Sequence, residues 1–371
     1  MRKNEQKVHE PLFHIVKRSA MPWWKVWMVR ILSVLTALLV CGVITMALTG
    51  KDPIKVYATM FDGAFGSSRR IWGLFQNLAM LLCVSLAVTP AFKMKFWNIG
   101  AEGQVLIGGL ATAAVMIKLG SSLPTGLLIL FMFVASVLAA GIWALIPAYC
   151  RAKWDTNETL FTLMMNYIAI QLVSYFTYLW SVPKGSGQIG VINQATRAGW
   201  LPAIAGKPYL LNIIIVAVLT LLMYVYLNYS KHGYEIQIVG ESQNTARYIG
   251  LNIPKVIIRT MLLSGALCGV AGFLLVSGAD HTLTQDLAGG RGFTAIMVAW
   301  LAKFNPFYMI LTSLLIVFLE KGAIEISTIY GLNASFADIL TGIIIFFIIG
   351  SEFFVNYSIK FREKNKEGAK A

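Results

Sequence analysis

Three clusters of polar and small residues interrupt otherwise apolar stretches of this sequence, and any chemistry it performs must start there. The first reads Phe96-Trp97-Asn98-Ile99-Gly100-Ala101-Glu102-Gly103-Gln104. In the second, Asn157-Glu158-Thr159-Leu160 runs into Thr162, Met164, Met165, Asn166 and Tyr167; the third is Gly289-Gly290-Arg291-Gly292-Phe293-Thr294. Amides, hydroxyls and a lone carboxylate bind polar solutes, water or one another. Within lipid such groups are costly unless they are paired or face a wet cavity, so their positions mark a path or the joints beside one. Asn98, Glu102, Gln104, Asn166, Tyr167, Phe293 and Thr294 are therefore the candidate path residues.

Each cluster also has a plainer reading. Lys93 and Lys95 suit a turn at the inner surface, whereas the Asn, Glu, Gln and glycines that follow suit a discontinuous helix lining a cavity. Asn157 has the place of a helix N-cap. Asn166 and Tyr167 lie two turns deeper and serve either as interhelical glue or as substrate contacts. The third cluster opens an apolar run of about ten residues, too short for a full crossing, and suggests a half-helix or a gating element.

Enzymatic signatures are missing or broken. Gly206-Lys207 is followed by Pro208, not by the Ser or Thr of a P-loop. Gly185, Gly187 and Gly190 match the spacing of a dinucleotide fingerprint, but no βαβ unit surrounds them. His9-Glu10 precedes His14 at the wrong interval for a zinc helix, and Pro11 breaks that helix. His232 and His281 stand apart from these. Cys41, Cys83, Cys150 and Cys268 fall within or at the ends of apolar runs with no paired spacing, as packing residues do.

The elements that must position these clusters are membrane helices. Hydrophobic residues make up 57% of the 371 and charged ones 13%, against about 45–50% and about 25% in soluble domains. Spans are expected at roughly 29–49, 71–91, 104–119, 126–149, 160–180, 209–228, 257–277 and 338–356, with shorter segments at 292–302 and 307–320, or about ten crossings. The predicted class is an all-α polytopic membrane protein with some discontinuous helices and pseudo-repeated halves, since one Gly-containing break falls in each half. A basic N-terminal segment (1–28) precedes the membrane domain (29–356), and a basic tail (357–371) follows it. With both ends cytoplasmic, the inner segments hold 21 of the 31 Lys and Arg residues, as the positive-inside rule requires. The charge of +14 thus reports orientation in the membrane, not nucleic acid. Trp23, Trp24 and Trp27 read as an interfacial belt.

Gly265, Gly269 and Gly272 share one helix face, and Gly108, Gly109, Ala111, Thr112 and Ala113 crowd another, so both helices should pack closely. The longest internal inner connection, Ser230 to Lys255, is long enough for a short helix on the membrane surface. Its mixture of Ala, Tyr, Ile and Gly resembles a surface made to be covered, although a solvated loop is the commoner fate of such a stretch.

The motifs as a set resemble the permeases of bacterial ATP-binding cassette importers, in the superfamily of ribose and branched-chain amino acid permeases. The branch associated with basic membrane lipoproteins is most similar. It shows F-x-N-I-G-A-E-G-Q, N-E-x-x-x-T-L-M-x-N-Y-I-A, G-x-x-x-x-A-A-R-Y-x-G and G-[KR]-G-F-T-x-I-x-V-A. Here these stand at 96–104, 157–169, 240–250 and 292–299, the last preceded by Arg291. Thr245 departs from the usual Ala, and Gln237 stands where many relatives carry Arg.

The resemblance implies a permease with no cofactor of its own, ATP and magnesium being held by the partner ATPase. It also implies a second permease copy or a sister permease, two cytoplasmic ATPase domains, an extracytoplasmic lipid-anchored binding protein and a cell-membrane location. Gly240, Asn244, Ala246, Arg247, Tyr248 and Gly250 would then form the ATPase coupling segment. Nucleosides are the substrates it implies first, with a simple sugar such as ribose as the alternative. A self-powered secondary transporter would need a buried ionisable coupling residue, for which Glu102 is the one candidate. A scaffold that transports nothing would leave the polar breaks in both halves without a reason.

Overall fold

The computed structural model describes residues 13–18, 21–50 and 52–361. In chain order the elements are β1 (Phe13–Lys17), α1 (Trp23–Thr49), α2 (Pro53–Phe65), α3 (Ser68–Lys93), α4 (Ala101–Leu119), α5 (Thr125–Trp154) and α6 (Glu158–Trp180). They continue with α7 (Leu210–Tyr229), α8 (Lys231–Glu241), α9 (Gln243–Tyr248) and α10 (Ile253–Leu275), which ends in a π-helical turn (Val276–Asp280). Then come α11 (Arg291–Leu301), α12 (Pro306–Ile329), α13 (Ala334–Asn356) and β2 (Tyr357–Phe361). Among the described residues, nine helices are long and apolar enough to cross a membrane. The class is all-α and polytopic, with one two-stranded ribbon. Of the His9-Glu10-His14 motif, the first two residues lie outside the described part.

The chain divides into two compact units, Met1–Ala64 with Leu319–Ala371, and Phe65–Phe318. In the first, β1 pairs antiparallel with β2 from Phe13↔Phe361 to Lys17↔Tyr357, and Arg30 of α1 forms an ion pair with Glu352 of α13. The start of α1 and the end of α13 thus lie on one side, which requires an even number of crossings. Nine long helices are odd in number. The remaining apolar helix, α11, follows a run of turns at 285–290, and its 11 residues span about 16 Å, half the hydrocarbon thickness.

One expectation needs correction. The segment read as a short element at 307–320 is the full 24-residue helix α12. Its polar residues Glu320, Lys321 and Glu325 cut the hydropathy signal short. They are tolerated because α2, an element not expected from the sequence, packs there, with Gly63 against Glu325 and Lys321 and with Met60 against Gly322. The connection 230–255 carries two short helices, each started by a serine cap: Gly233 N–H donates to Ser230 Oγ (3.0 Å) and Thr245 N–H to Ser242 Oγ (3.2 Å). Asn157 caps α6 in the same way, accepting from Leu160 N–H at 3.2 Å.

The hub of the second unit is α10. A Cβ at Gly265 would lie 2.6 Å from the Ala140 carbonyl oxygen, at Gly269 2.6 Å from that of Ser136, and at Gly272 2.5 Å from that of Val105. Backbones of α4 and α5 therefore press directly onto α10, an approach that only small residues allow. Ser136 Oγ donates to Gly269 O (2.7 Å) and also lies 2.9 Å from Gly108 O, which ties the three helices together.

Candidate functional site

The helix break between α3 and α4 is built around a buried amide. Asn98 is fully buried, with Oδ1 accepting from Gly100 N–H (3.0 Å) and Gln104 Nε2 (3.2 Å) and Nδ2 donating to Ser264 Oγ of α10 (3.2 Å). From α6, Asn166 Nδ2 donates to Ile99 O and its Oδ1 accepts from Gly103 N–H, each at 2.8 Å. Thr162 Oγ accepts from Ile99 N–H at 3.1 Å. The polar groups that the break exposes are thus consumed by side chains from α4, α6 and α10.

Glu102, in the first turn of α4, faces the other way. Its Oε1 accepts from Gly290 N–H at 2.8 Å and its Oε2 from Gly292 N–H at 2.7 Å, the two amides that open α11. Gly290 holds the left-handed conformation (φ 73°) at the N-cap of α11, where it offers no capping side chain. A Cβ at Gly292 would come within 2.7 Å of Glu102 Cα, so α11 meets α4 backbone to backbone. Arg291 Nη2 donates to Asn77 Oδ1 of α3 at 2.8 Å.

Helices α3 and α11 end alike. Phe96 N–H bonds Ala91 O and Lys95 N–H bonds Phe92 O, all at 2.9 Å; Phe304 N–H bonds Ala299 O at 2.9 Å and Lys303 N–H bonds Trp300 O at 3.0 Å. Lys95 (φ 60°) and Lys303 (φ 51°) both take the left-handed conformation that closes such a turn. Trp97 stacks on Trp300 with ring centres 5.8 Å apart, joining the two turns.

Of the candidate path residues, Asn98, Glu102, Gln104 and Asn166 converge on this knot and are buried and bonded. Tyr167 and Phe293 are exposed beside it, and Thr294 Oγ donates to Gly290 O at 3.2 Å. Sequence reasoning missed Ser264 and Asn77, and also a second buried pair, Gln76 and Asn212, whose amides meet at 3.2 Å beside Gly278 of the π-helical turn. Lone amides in apolar spans carried the same signal as Asn98 and were there to be read.

The segment 240–250 divides by burial. Gly240 packs against the end of α3, where a Cβ would collide with the Lys93 carbonyl oxygen, and Ala246 is fully buried. Ile236, Val239 and Ala246 share one apolar cluster with Met94 and Phe96 of the first break and with Ile253, Val256 and Ile257 of α10. Asn244, Arg247 and Tyr248 face outward, Tyr248 being 92% exposed, and Gly250 (φ 83°) turns the chain into α10. Beside α9 lies a recess of about 390 Å³ whose walls include Arg151, Asp155, Gln243, Arg247 and Asn252. Arg151 is held there by Asp155 (2.8 Å) and Glu158 (3.3 Å). At the base of α8, Glu235 accepts from Arg259 at 2.6 Å, and that bond lowers its pKa from the ordinary carboxylate value. Gln237 Nε2 is spent on Glu241 Oε1 at 3.2 Å. No group of His, Cys, Asp and Glu among the described residues is placed to hold a metal ion.

Comparison with known proteins agrees with this architecture. Residues 71–349 match the family model described as branched-chain amino acid transport system / permease component. The chain is 32% identical to a glucose ABC transporter permease protein of Haloferax volcanii, with 92% of each chain covered. It is 29% identical to a guanosine ABC transporter permease protein of Bacillus subtilis (87% of this chain, 92% of the relative) and 27% identical to a nucleoside ABC transporter permease protein of Lactococcus lactis (83% and 86%). No solved structure matches the chain. A family match across both helix breaks, the short α11 and the short helices between them leaves one assignment: the chain belongs to this permease family and is a multi-pass, non-enzymatic membrane subunit of an ABC transporter.

Proposed function

We propose that this permease imports nucleosides across the cell membrane, with both ends of the chain in the cytoplasm. Two cytoplasmic ATPase domains, a second permease copy or sister permease and an extracytoplasmic, lipid-anchored binding protein complete the transporter. ATP and magnesium belong to the ATPases. The observation that carries the ATP-driven reading is the shared apolar cluster: Ala246 of α9 packs in the same core as Met94 and Phe96 of the first break. A push on the exposed face of α9 reaches the break without crossing solvent, and interiors packed to this density transmit such displacements. Asn244, Arg247 and Tyr248 are the contact residues in this reading, and the recess at Arg151 and Asp155 continues the same surface.

Tyr167, Phe293 and Thr294, exposed or half-buried beside the knot, are the residues that meet substrate. Asn98, Glu102, Gln104 and Asn166 form the wall behind them. The nucleoside preference rests on the guanosine and nucleoside permeases among the relatives. A sugar such as ribose or glucose is the second reading, favoured by the glucose permease relative at 32% identity.

A self-powered transporter is disfavoured because both oxygens of Glu102, its one candidate coupling residue, already accept backbone N–H groups that hold α11, a structural contact that a travelling proton would weaken. The test is uptake of labelled guanosine, uridine, ribose and glucose into liposomes containing the permease, its ATPase and the binding protein. ATP-dependent nucleoside uptake is expected. Uptake driven by a proton or sodium gradient without ATPase would overturn the class, and ATP-dependent uptake of sugar alone would overturn the substrate.

A further inference from the structure

We infer that Glu102 is a positioning residue: its carboxylate is the missing N-cap of α11 and holds this short helix against α4. The inference rests on the transporter reading above only for its consequence in uptake.

The first amides of any helix lack intrahelical partners, and a side chain at the N-cap usually supplies one acceptor. At α11 the N-cap is Gly290, which supplies none. Glu102 supplies two acceptors from another helix, one oxygen for Gly290 N–H (2.8 Å) and the other for Gly292 N–H (2.7 Å). An anion at a helix N-terminus also meets the positive end of the helix dipole.

The neighbours fix each half of this joint. Asn98, Gln104, Ser264 and Asn166 hold the start of α4, and the Arg291–Asn77 bond holds the other side of α11 on α3. The close backbone approach at Gly292 permits the contact. Residues 285–290 enter as a run of turns, so the α11 N-terminus has no helix or strand upstream to steady it. The carboxylate does this instead.

Geometry sets what substitutions do. A carboxylate accepts at both oxygens, whereas Glu102→Gln turns one of them into an N–H donor aimed at another N–H. Glu102→Asp keeps the charge but shortens the reach. Gly292→Ala leaves the carboxylate intact and forces α11 away from α4.

The test is hydrogen–deuterium exchange of the detergent-purified permease, which needs neither substrate nor ATPase. Glu102→Gln and Gly292→Ala should each raise exchange in residues 288–296 roughly tenfold or more, as loss of a charged hydrogen bond at a local opening predicts. Peptides from α5 should not change. In reconstituted transporter, Glu102→Gln should lower maximal uptake while leaving the half-saturating concentration of loaded binding protein unchanged, and Glu102→Asp should recover part of the loss.

Unchanged exchange in both variants would overturn the inference whether or not uptake is lost. So would a rise in half-saturating concentration at unchanged exchange, which would make Glu102 a substrate contact. If Glu102→Gln fails to insert, the Gly292→Ala exchange decides alone. Normal exchange behaviour with no ATP-dependent uptake in wild type would instead count against the transporter reading.

Discussion

The knot around Asn98 and Glu102 and the surface of α9 both carry dense sequence motifs, yet their physical states are opposite. In the knot, Asn98, Glu102, Gln104 and Asn166 are buried, and every one is bonded to another element. On α9, Ala246 is buried while Arg247 and Tyr248 stand in the open. Polar residues bonded inside the protein hold helices in register. Those exposed on a short helix with a buried apolar anchor are free to meet a partner, as proposed above. The same kind of sequence signal therefore marks joints in one region and an exposed face in the other.

The comparison breaks most readily at Asn98. Asn98→Leu removes the acceptor of Gly100 and Gln104 and the donor to Ser264, and should destabilise the protein by about 4 kcal/mol, since each buried polar group left unpaired costs about 1–3 kcal/mol. A large drop in thermal stability of the purified permease is expected. No drop would mean that the knot is a wet path whose groups find water instead.

Gly240→Val tests the buried side of the coupling segment. The new side chain would meet the Lys93 carbonyl, and overpacking of this kind costs about 1–3 kcal/mol. The variant should insert, melt earlier and lose ATPase co-purification because α8 lifts off α3. Wild-type behaviour would show that the α8 contact is slack.

Arg247→Glu tests the exposed side. Reversing a charge at a docking surface should weaken ATPase association by about 2 kcal/mol and reduce ATP-driven uptake in step. Stability of the isolated permease should change by less than about 0.5 kcal/mol, as exposed substitutions do. That split between assembly and stability is the reverse of the one expected for Asn98→Leu. Full association and stimulated hydrolysis would reduce α9 to a solvated helix and leave the Arg151–Asp155 side of the recess as the docking surface.

The smallest effect concerns pH. The Arg259 bond lowers the Glu235 pKa in the folded protein. Its stabilisation is thus complete above the unfolded carboxylate pKa of about 4.3 and lost as pH falls through the lowered folded value. Between neutral pH and that acid range, wild type should lose about 1 kcal/mol more than Glu235→Gln. Equal acid sensitivity of the two would show that the pair contributes nothing to holding α8.

Much of the fold is legible in the residues alone. Eight of the spans, the short α11 and the Asn157 cap follow from hydropathy and from a cap-to-amide spacing of three residues, both local properties. The glycine face of α10 is equally plain. The segment at 307–320 shows the limit: Glu320, Lys321 and Glu325 look like the end of a span unless one knows that α2 covers that helix. For the site, the residue types show which groups are costly in lipid but not whether water or protein satisfies them.

By itself, then, the sequence determined a lipid-spanning chain with broken helices in both halves and an exposed polar connection, because burial in lipid and helix capping act over a few residues. Only the tertiary structure decided that Glu102 caps a helix 188 residues away and that α9 shares a core with the first break. Small residues such as Gly103, Gly240 and Gly292 permit close approach without naming a neighbour. The neighbour is chosen by the packing of the whole unit, where each buried donor must find the one acceptor within reach.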